Sequence, residues 1–247
     1  MTFRVQWYDD VASTNDVALA AAEADAAEGL VVAADRQTHG RGRLGRTWSS
    51  PSGAGLYASI LLRPSAAVLP LLTLACGVAV VDAVEIATGV PLALKWPNDA
   101  GVWRDDRLLK VAGILTEAGA TAHGRHYAVV GIGINVRPGP HARDVQQRAT
   151  DLTTECGHDV DRASLLTHCL AAIETRYRQL QDSSGGRHRL LDAWRERASP
   201  TLGRAVEWDA AGTTIRGTAD VIDGEGALLI RTATGPVRVT AGEVRWI

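Results

Sequence analysis

Residues 92–120 read LALKWPNDAGVWRDDRLLKVAGILTEAGA. The run divides into a short apolar strand at 92–95, a bend at Trp96-Pro97-Asn98-Asp99, and two strand-like stretches meeting at Arg104-Asp105-Asp106-Arg107. Strand patterns broken by a compact polar turn mark an antiparallel hairpin. Upstream, 55–62 is a strand and 68–87 an apolar helix, while downstream 127–136 is again a strand. Hairpins and helices therefore mix instead of alternating regularly, which predicts an α+β fold on a mixed, largely antiparallel sheet. Gly131-Ile132-Gly133-Ile134-Asn135 looks like a dinucleotide fingerprint, but it lacks the third glycine and runs on as a strand, so a Rossmann unit is excluded.

The same reading extends to both ends. Residues 5–8 and 30–34 are short strands, and between them Ser13-Thr14-Asn15-Asp16 caps an alanine-rich helix. Residues 162–181 carry apolar groups at helical spacing, and 190–197 extend a second helix. After Ser199-Pro200 the pattern changes to short strands at 205–208, 214–222, 227–231 and 237–239, separated by Gly-rich turns. The chain is accordingly divided at 1–199, a main domain, and 200–247, a small all-β module.

Composition narrows the classes. The 247 residues are 46% hydrophobic and 22% charged with a formal net charge of -2, values of an ordinary globular protein. Chain-wide attraction to nucleic acid or an anionic membrane is excluded, so a basic site must be local. Cys76, Cys156 and Cys169 form no close-spaced pair, which fits reduced structural thiols. The apolar stretch 68–81 is shorter than a membrane span and is interrupted by Pro70, Thr73 and Gly77. No secretory signal is visible at the N-terminus.

Of 26 basic residues only Lys95 and Lys110 are lysine. An ammonium is a compact point charge where a guanidinium is a planar fork, so two lysines in an arginine background are candidates for chemistry. Residues 36–46, RQTHGRGRLGR, hold four arginines and no acid. Glycines 40, 42 and 45 let the backbone bend toward an anion and the guanidiniums donate to it, so the natural guest is polyanionic; a solvated basic loop or a nucleic-acid patch is the alternative. No Walker motif is present. Asp99 at a strand end, beside Asn98, suits a Mg²⁺ ion carrying nucleotide phosphates, although Pro-Asn-Asp is also a common turn. Lys110 begins the strand-like KVAGILTEAGA and could offset repulsion between a carboxylate and a phosphorus; sheet-protecting edge lysines are the commoner case.

GRGRLGRTW at 40–48, KWPND at 95–99, KVAGILTE at 110–117 and GIGINV at 131–136, after an early STN at 13–15, are together similar to the catalytic core of biotin protein ligases. The resemblance implies a sheet related to class II aminoacyl-tRNA synthetases, a C-terminal SH3-like barrel, and formation of biotinyl-5'-AMP from biotin and MgATP. Transfer to a lysine of a biotin carboxyl carrier protein domain would follow. It further implies that Ser13, Thr14, Asn15, Gln37, Gly40, Arg41, Gly113 and Leu115 surround biotin. Arg43, Arg46, Trp48, Asn98 and Asn135 would serve the nucleotide, with Trp48 on the adenine and Asn135 at its edge. Lys110 and Arg43 would be catalytic, and Asp99 would take the Mg²⁺. Because only twelve residues precede STN, the expected type is a cytoplasmic ligase lacking the DNA-binding domain of some members, without nucleic-acid or membrane partners, as a monomer or weak homodimer.

Two rivals differ in class or substrate. A lipoate or octanoate ligase of the same broad fold would also keep one key lysine, but GRGRLGRTW and KWPND count against it. A nucleic-acid-binding module would use the arginine loop, against which stand the acidic net charge and the lack of aromatics interleaved with the basic run, Trp48 excepted. Lys95 pairing with Asp99, Arg46 as a surface charge and a solvated His39 are the plain readings of those residues.

Overall fold

The computed structural model describes residues 1–140, 147–210 and 213–247. Seven strands form the main sheet: β1 (Arg4–Val11), β2 (Leu30–Gln37), β3 (Gly55–Leu62), β4 (Ala93–Lys95), β5 (Asp99–Arg104), β6 (Arg107–Ala120) and β7 (His126–Asn135), in the order β1-β2-β3-β7-β6-β5-β4. Only β1 and β2 run parallel, joined through helix α1 (Thr14–Glu23); every other neighbouring pair is antiparallel. The α+β class and the mixed, largely antiparallel sheet are as the sequence predicts.

Period-two alternation sorts the central strands onto two faces. Leu56, Ala58, Ile60 and Leu62 of β3 and Ala128, Val130, Ile132 and Ile134 of β7 enter the main core. Their neighbours Leu61, Tyr127 and Val129 pack with Ala18 and Ala22 of α1 on the opposite face. Helix α2 (Leu69–Thr88) covers the first face, with Pro70 in its opening turn and Gly89 in the left-handed conformation (φ 72°) at its end, the asymmetric punctuation that fixes a helix from both sides. It is long and apolar enough to cross a membrane. Here that surface is buried against β6, α4 (Arg162–Gln181) and α5 (Gly186–Ala198); each buried Leu or Val contributes about 1.5–3 kcal/mol.

Four details depart from the sequence reading. Ser13 occupies the N-cap of α1 with extended geometry, yet its side chain makes no capping bond; the Thr14 amide donates to Gln37 Oε1 instead, at 2.8 Å. Helix α5 begins at Gly186, four residues before the predicted start, and a short helix α3 (Leu152–Cys156) has no counterpart in the prediction. The C-terminal module has five antiparallel strands, β8 (Ala205–Ala210), β9 (Thr213–Ile222), β10 (Leu228–Thr232), β11 (Gly235–Val239) and β12 (Val244–Trp246), in the order β11-β10-β9-β8-β12, where four were expected. Its inner residues Val206, Ala219, Ile222, Leu228 and Ile230 belong to the same buried cluster as α2, so the module is packed onto the main domain through one continuous core.

Candidate active site

The helix α1 covers only one end of the second sheet face. Toward the other end the residues due to fill it are Gly113 of β6 and Gly131 and Gly133 of β7, and the missing side chains leave a hollow. Gly113 and Gly133 lie opposite each other across the β6–β7 ladder, and Asp99 lies opposite Gly113 on the far side. The Trp48 indole fills part of this floor: a Cβ on Gly133 would lie 2.6 Å from Trp48 Cε2, and one on Gly113 would lie 3.0 Å from Cζ3. The Trp48 Nε1–H is buried against Gly133 without a hydrogen-bond partner.

Lys110 reaches this floor through an irregularity of the backbone. Ala112 faces Ala100, but the next pair is Lys110 with Gly101, so Val111 is an extra residue in β6. Such a bulge reverses the alternation. Val111 and Ala112 both enter the core while Lys110 and Gly113 share the open face. Gly101 is required at this point, because a Cβ would lie 2.2 Å from the Leu109 carbonyl oxygen. Lys110 is thus not the first residue of its strand, as the sequence suggested, but the fourth of a strand opening at Arg107. Its ammonium pairs with Asp99 Oδ1 at 2.6 Å and lies 5.0 Å from the Trp48 ring centroid.

One end of the cleft is lined by neutral polar side chains, with the Glu117–Arg41–Asp16 ion pairs beside them. Gln37 Oε1 accepts from the Thr14 amide and hydroxyl, its Nε2 donates to Ser50 Oγ at 2.8 Å, and the fully buried Ser59 hydroxyl touches Thr14 Oγ1 and Asn15 Oδ1. Ser13, Thr14 and Asn15 are all buried. Asn15 Nδ2 in turn donates to Glu117 Oε2 at 2.8 Å. Gly40 lies behind this wall, where a Cβ would meet the Trp48 carbonyl and Ser50 Oγ at 2.4 and 2.6 Å.

The other end is cationic. Residues 40–48 form a small hairpin, with Trp48 N–H donating to the Gly40 carbonyl and Gly42 N–H to that of Arg46, and Leu44 (φ 56°) exposed at its tip. Arg41 is tied to Asp16 and Glu117, both at 2.6 Å, which hold its guanidinium above the usual range. Arg43 donates to Asn98 Oδ1 and to the Gly242 carbonyl, each at 3.2 Å. Burial lowers its proton affinity, with the Asp99 and Glu243 carboxylates opposing. Arg46 pairs with Glu243. Lys95, opposite Asp99 on β4, has its pKa lowered chiefly by burial, with Asp99 opposing that effect.

These residues line one cavity of about 180 Å³, which gathers Ser13, Thr14, Asn15, Gln37, Arg41, Arg43, Arg46, Trp48, Asn98, Asp99, Lys110, Gly113 and Leu115, together with Lys95. Gly40 and Asn135 stand outside its lining. Asn135 Nδ2 donates to the carbonyls of Lys110 and Thr150, at 3.4 and 3.1 Å, which secures the backbone that carries Lys110. His39 is exposed. Gly242, Glu243 and Val244 of the C-terminal module line the cavity and were not anticipated, since a Gly-Glu pair in a short β module carries no local mark of a site. Ser59 and Glu117 were also missed; Glu117 at least stood inside the KVAGILTE motif. Among the described residues no cluster of three His, Cys, Asp or Glu side chains could cage a metal. Asp99 with Asn98 fits a cation that arrives already coordinated by phosphates and water, the habit of Mg²⁺.

Residues 8–135 match the Biotin/lipoate A/B protein ligase family, and 201–245 match the Biotin protein ligase C terminal domain. The bifunctional ligase/repressor BirA of Bacillus subtilis is 35% identical over 242 residues, covering 96% of this chain and 72% of that protein. The biotin--[acetyl-CoA-carboxylase] ligase of Paracoccus denitrificans is also 35% identical, covering 94% and 96%. The biotin protein ligase of Aquifex aeolicus, solved in complex with biotin and ATP, superposes with a TM-score of 0.83 at 32% identity over 99% of this chain and 98% of that one.

Proposed function

The chain belongs to the Biotin/lipoate A/B protein ligase family, and from that premise we propose that it is a biotin protein ligase, converting biotin and ATP to biotinyl-5'-AMP and pyrophosphate and passing the biotinyl group to a carrier-protein lysine. One observation carries the reading: the Lys110 ammonium stands in one cavity with a recess of neutral polar side chains and a cationic rim. The recess, built on Thr14, Asn15, Gln37 and Ser13, suits the neutral ureido ring, which needs a few aimed donors and acceptors. The rim, with Arg43, Arg46 and Lys95, suits phosphates.

In the activation step the biotin carboxylate attacks the α-phosphorus and the pyrophosphate oxygen leaves. Two anions meet there, and Lys110 offsets their repulsion most strongly as charge builds on the phosphoryl oxygens. Asp99 now holds that ammonium in place. Asp99 and Asn98 would hold the magnesium of MgATP, and the Lys110 ammonium would then face the reacting groups. Bound Mg²⁺ supplies charge neutralisation on the phosphates. Trp48 offers a flat apolar surface for the adenine, and Asn135 acts on Lys110 through the backbone or on the adenine edge after rearrangement. Arg43 closes over the anhydride and excludes water. The acceptor amine then attacks the biotinyl carbonyl and AMP departs.

The domains run 1–199 and 200–247, the first related to class II aminoacyl-tRNA synthetases and the second an SH3-like barrel; the five-stranded antiparallel order supports the latter. The acceptor is the biotin carboxyl carrier domain of a biotin-dependent carboxylase, as the name of the Paracoccus relative suggests. The enzyme works in the cytoplasm, consistent with three free thiols. Exchange of labelled pyrophosphate into ATP, run with biotin, with lipoate and with neither, tests the reading without an acceptor. Biotin-dependent exchange is expected; exchange with lipoate alone would move the protein to the other branch of its family.

A further inference from the structure

The C-terminal module acts on the cleft at a second point besides its Gly242-Glu243 lip. The Lys95 ammonium lies 4.6 Å from the centroid of the Trp246 ring, although Trp246 does not itself line the cavity. The ring is fixed: its Nε1 donates to the Thr201 carbonyl at 2.7 Å, and its strand pairs with β8, Trp246 opposite Val206. The residues flanking Lys95 are fixed to the same module. Fully buried Thr201 donates its hydroxyl to the Leu94 carbonyl at 2.7 Å, and Trp96 Nε1 donates to the Gly226 carbonyl at 3.0 Å. Lys95 faces Asp99 across the ladder, and Lys110 and Arg46 lie near enough to lower its proton affinity while Glu243 raises it.

Asp99 is paired with Lys110 and its charge also steadies Lys95, so a metal ion drawing that carboxylate away would leave the two lysines less shielded from each other. The negative face of an indole attracts a cation where an aliphatic side chain of similar bulk would only cover it. We propose that Trp246 is a positioning residue, whose ring holds the Lys95 ammonium at the phosphate end of the cleft and so links the C-terminal module to use of ATP. The inference rests on the ligase reading above.

The test uses the full-length protein. Pyrophosphate exchange is measured against ATP and against biotin for wild type, Trp246→Ala, Trp246→Phe, Lys95→Met and the Lys95→Met/Trp246→Ala double variant, with Tm recorded for each. Trp246→Ala is expected to lower kcat/KM for ATP about tenfold and leave KM for biotin unchanged. Trp246→Phe, which keeps a ring but not the Nε1 bond, should recover most of the loss, and Trp246→Ala should add nothing in the Lys95→Met background. Unchanged ATP parameters, a parallel rise in biotin KM, or the same loss without Lys95 would overturn the proposal. No biotin-dependent exchange in the wild type would overturn the ligase reading and this inference together, whereas normal wild-type exchange insensitive to Trp246 overturns this inference alone.

Discussion

Lys110 and Asp99 are 2.6 Å apart with both side chains partly open to the cleft, so the pair is an exchangeable latch and not a buried structural bridge. Removing the lysine leaves Asp99 to repel the incoming carboxylate and phosphates while the stabilising charge is lost. Lys110→Ala should therefore reduce biotin-dependent pyrophosphate exchange by about 10²–10³-fold, with Tm nearly unaltered; exchange at the wild-type rate would remove the residue from the mechanism. Arg43 is held more lightly, by two neutral oxygens at 3.2 Å, and burial works against its charge. An anionic adenylate is a better partner than either oxygen. Arg43→Gly should release biotinyl-5'-AMP about tenfold or more faster, read as the decay of enzyme-bound adenylate after rapid gel filtration, and an unaltered off-rate would contradict the assignment. Cys76 and Cys169, whose thiols burial pushes up to about 12, should resist iodoacetamide in the native protein at about pH 8. The half-exposed Cys156 should label; mass mapping of the labelled peptides checks both statements.

At the scale of elements, the site depends on how β5 and β6 pair. The tight turn at Asp105 and Asp106, both with positive φ (50° and 59°), fixes the hairpin register. The extra residue Val111 then turns Lys110 toward the cleft. Gly101→Ala would put a methyl 2.2 Å from the Leu109 carbonyl, so the bulge must slip or the strands must part. Expected are a loss of about 1–3 kcal/mol in stability and a fall in exchange out of proportion to the fraction unfolded, because a slipped register points Lys110 into the core. Retained exchange in a destabilised but folded protein would show that the bulge does not set the lysine's direction. Helix α1 contributes in another manner: its first turn presents Thr14 and Asn15 to Gln37 and Ser59, so side chains of the kind that cap a free helix are taken up in the wall of the recess.

For the whole molecule, the joint between the main domain and the C-terminal module is at once core and active-site support. Thr201 shows how: fully buried, it bonds the Leu94 carbonyl beside Lys95 and the Ala198 carbonyl at the end of α5. Thr201→Val keeps the shape but orphans the Leu94 carbonyl, at a cost of about 1–3 kcal/mol. A single cooperative thermal transition shifted downward is expected, since the core is continuous; two separate transitions would mean that the module unfolds independently. The sequence by itself determined much of the architecture. The bounds of β3 and α4, and those of α2 to within one residue, followed from periodicity, and the motif residues from 13 to 135 almost all converge on one cavity. These are local features, because a strand's alternation or a helix's punctuation is set by the residues themselves. Tertiary structure alone decided three things: that Lys110 points to the open face, that the Thr14 amide and hydroxyl bond Gln37, and that Gly242 and Glu243 line a cavity, and Trp246 meets Lys95, some hundred or more positions away. The physical reason is shared. A bulge needs a partner strand, a buried polar side chain takes whichever partner packing supplies, and the contact between a cation and a distant ring exists only after the chain has brought both to one surface.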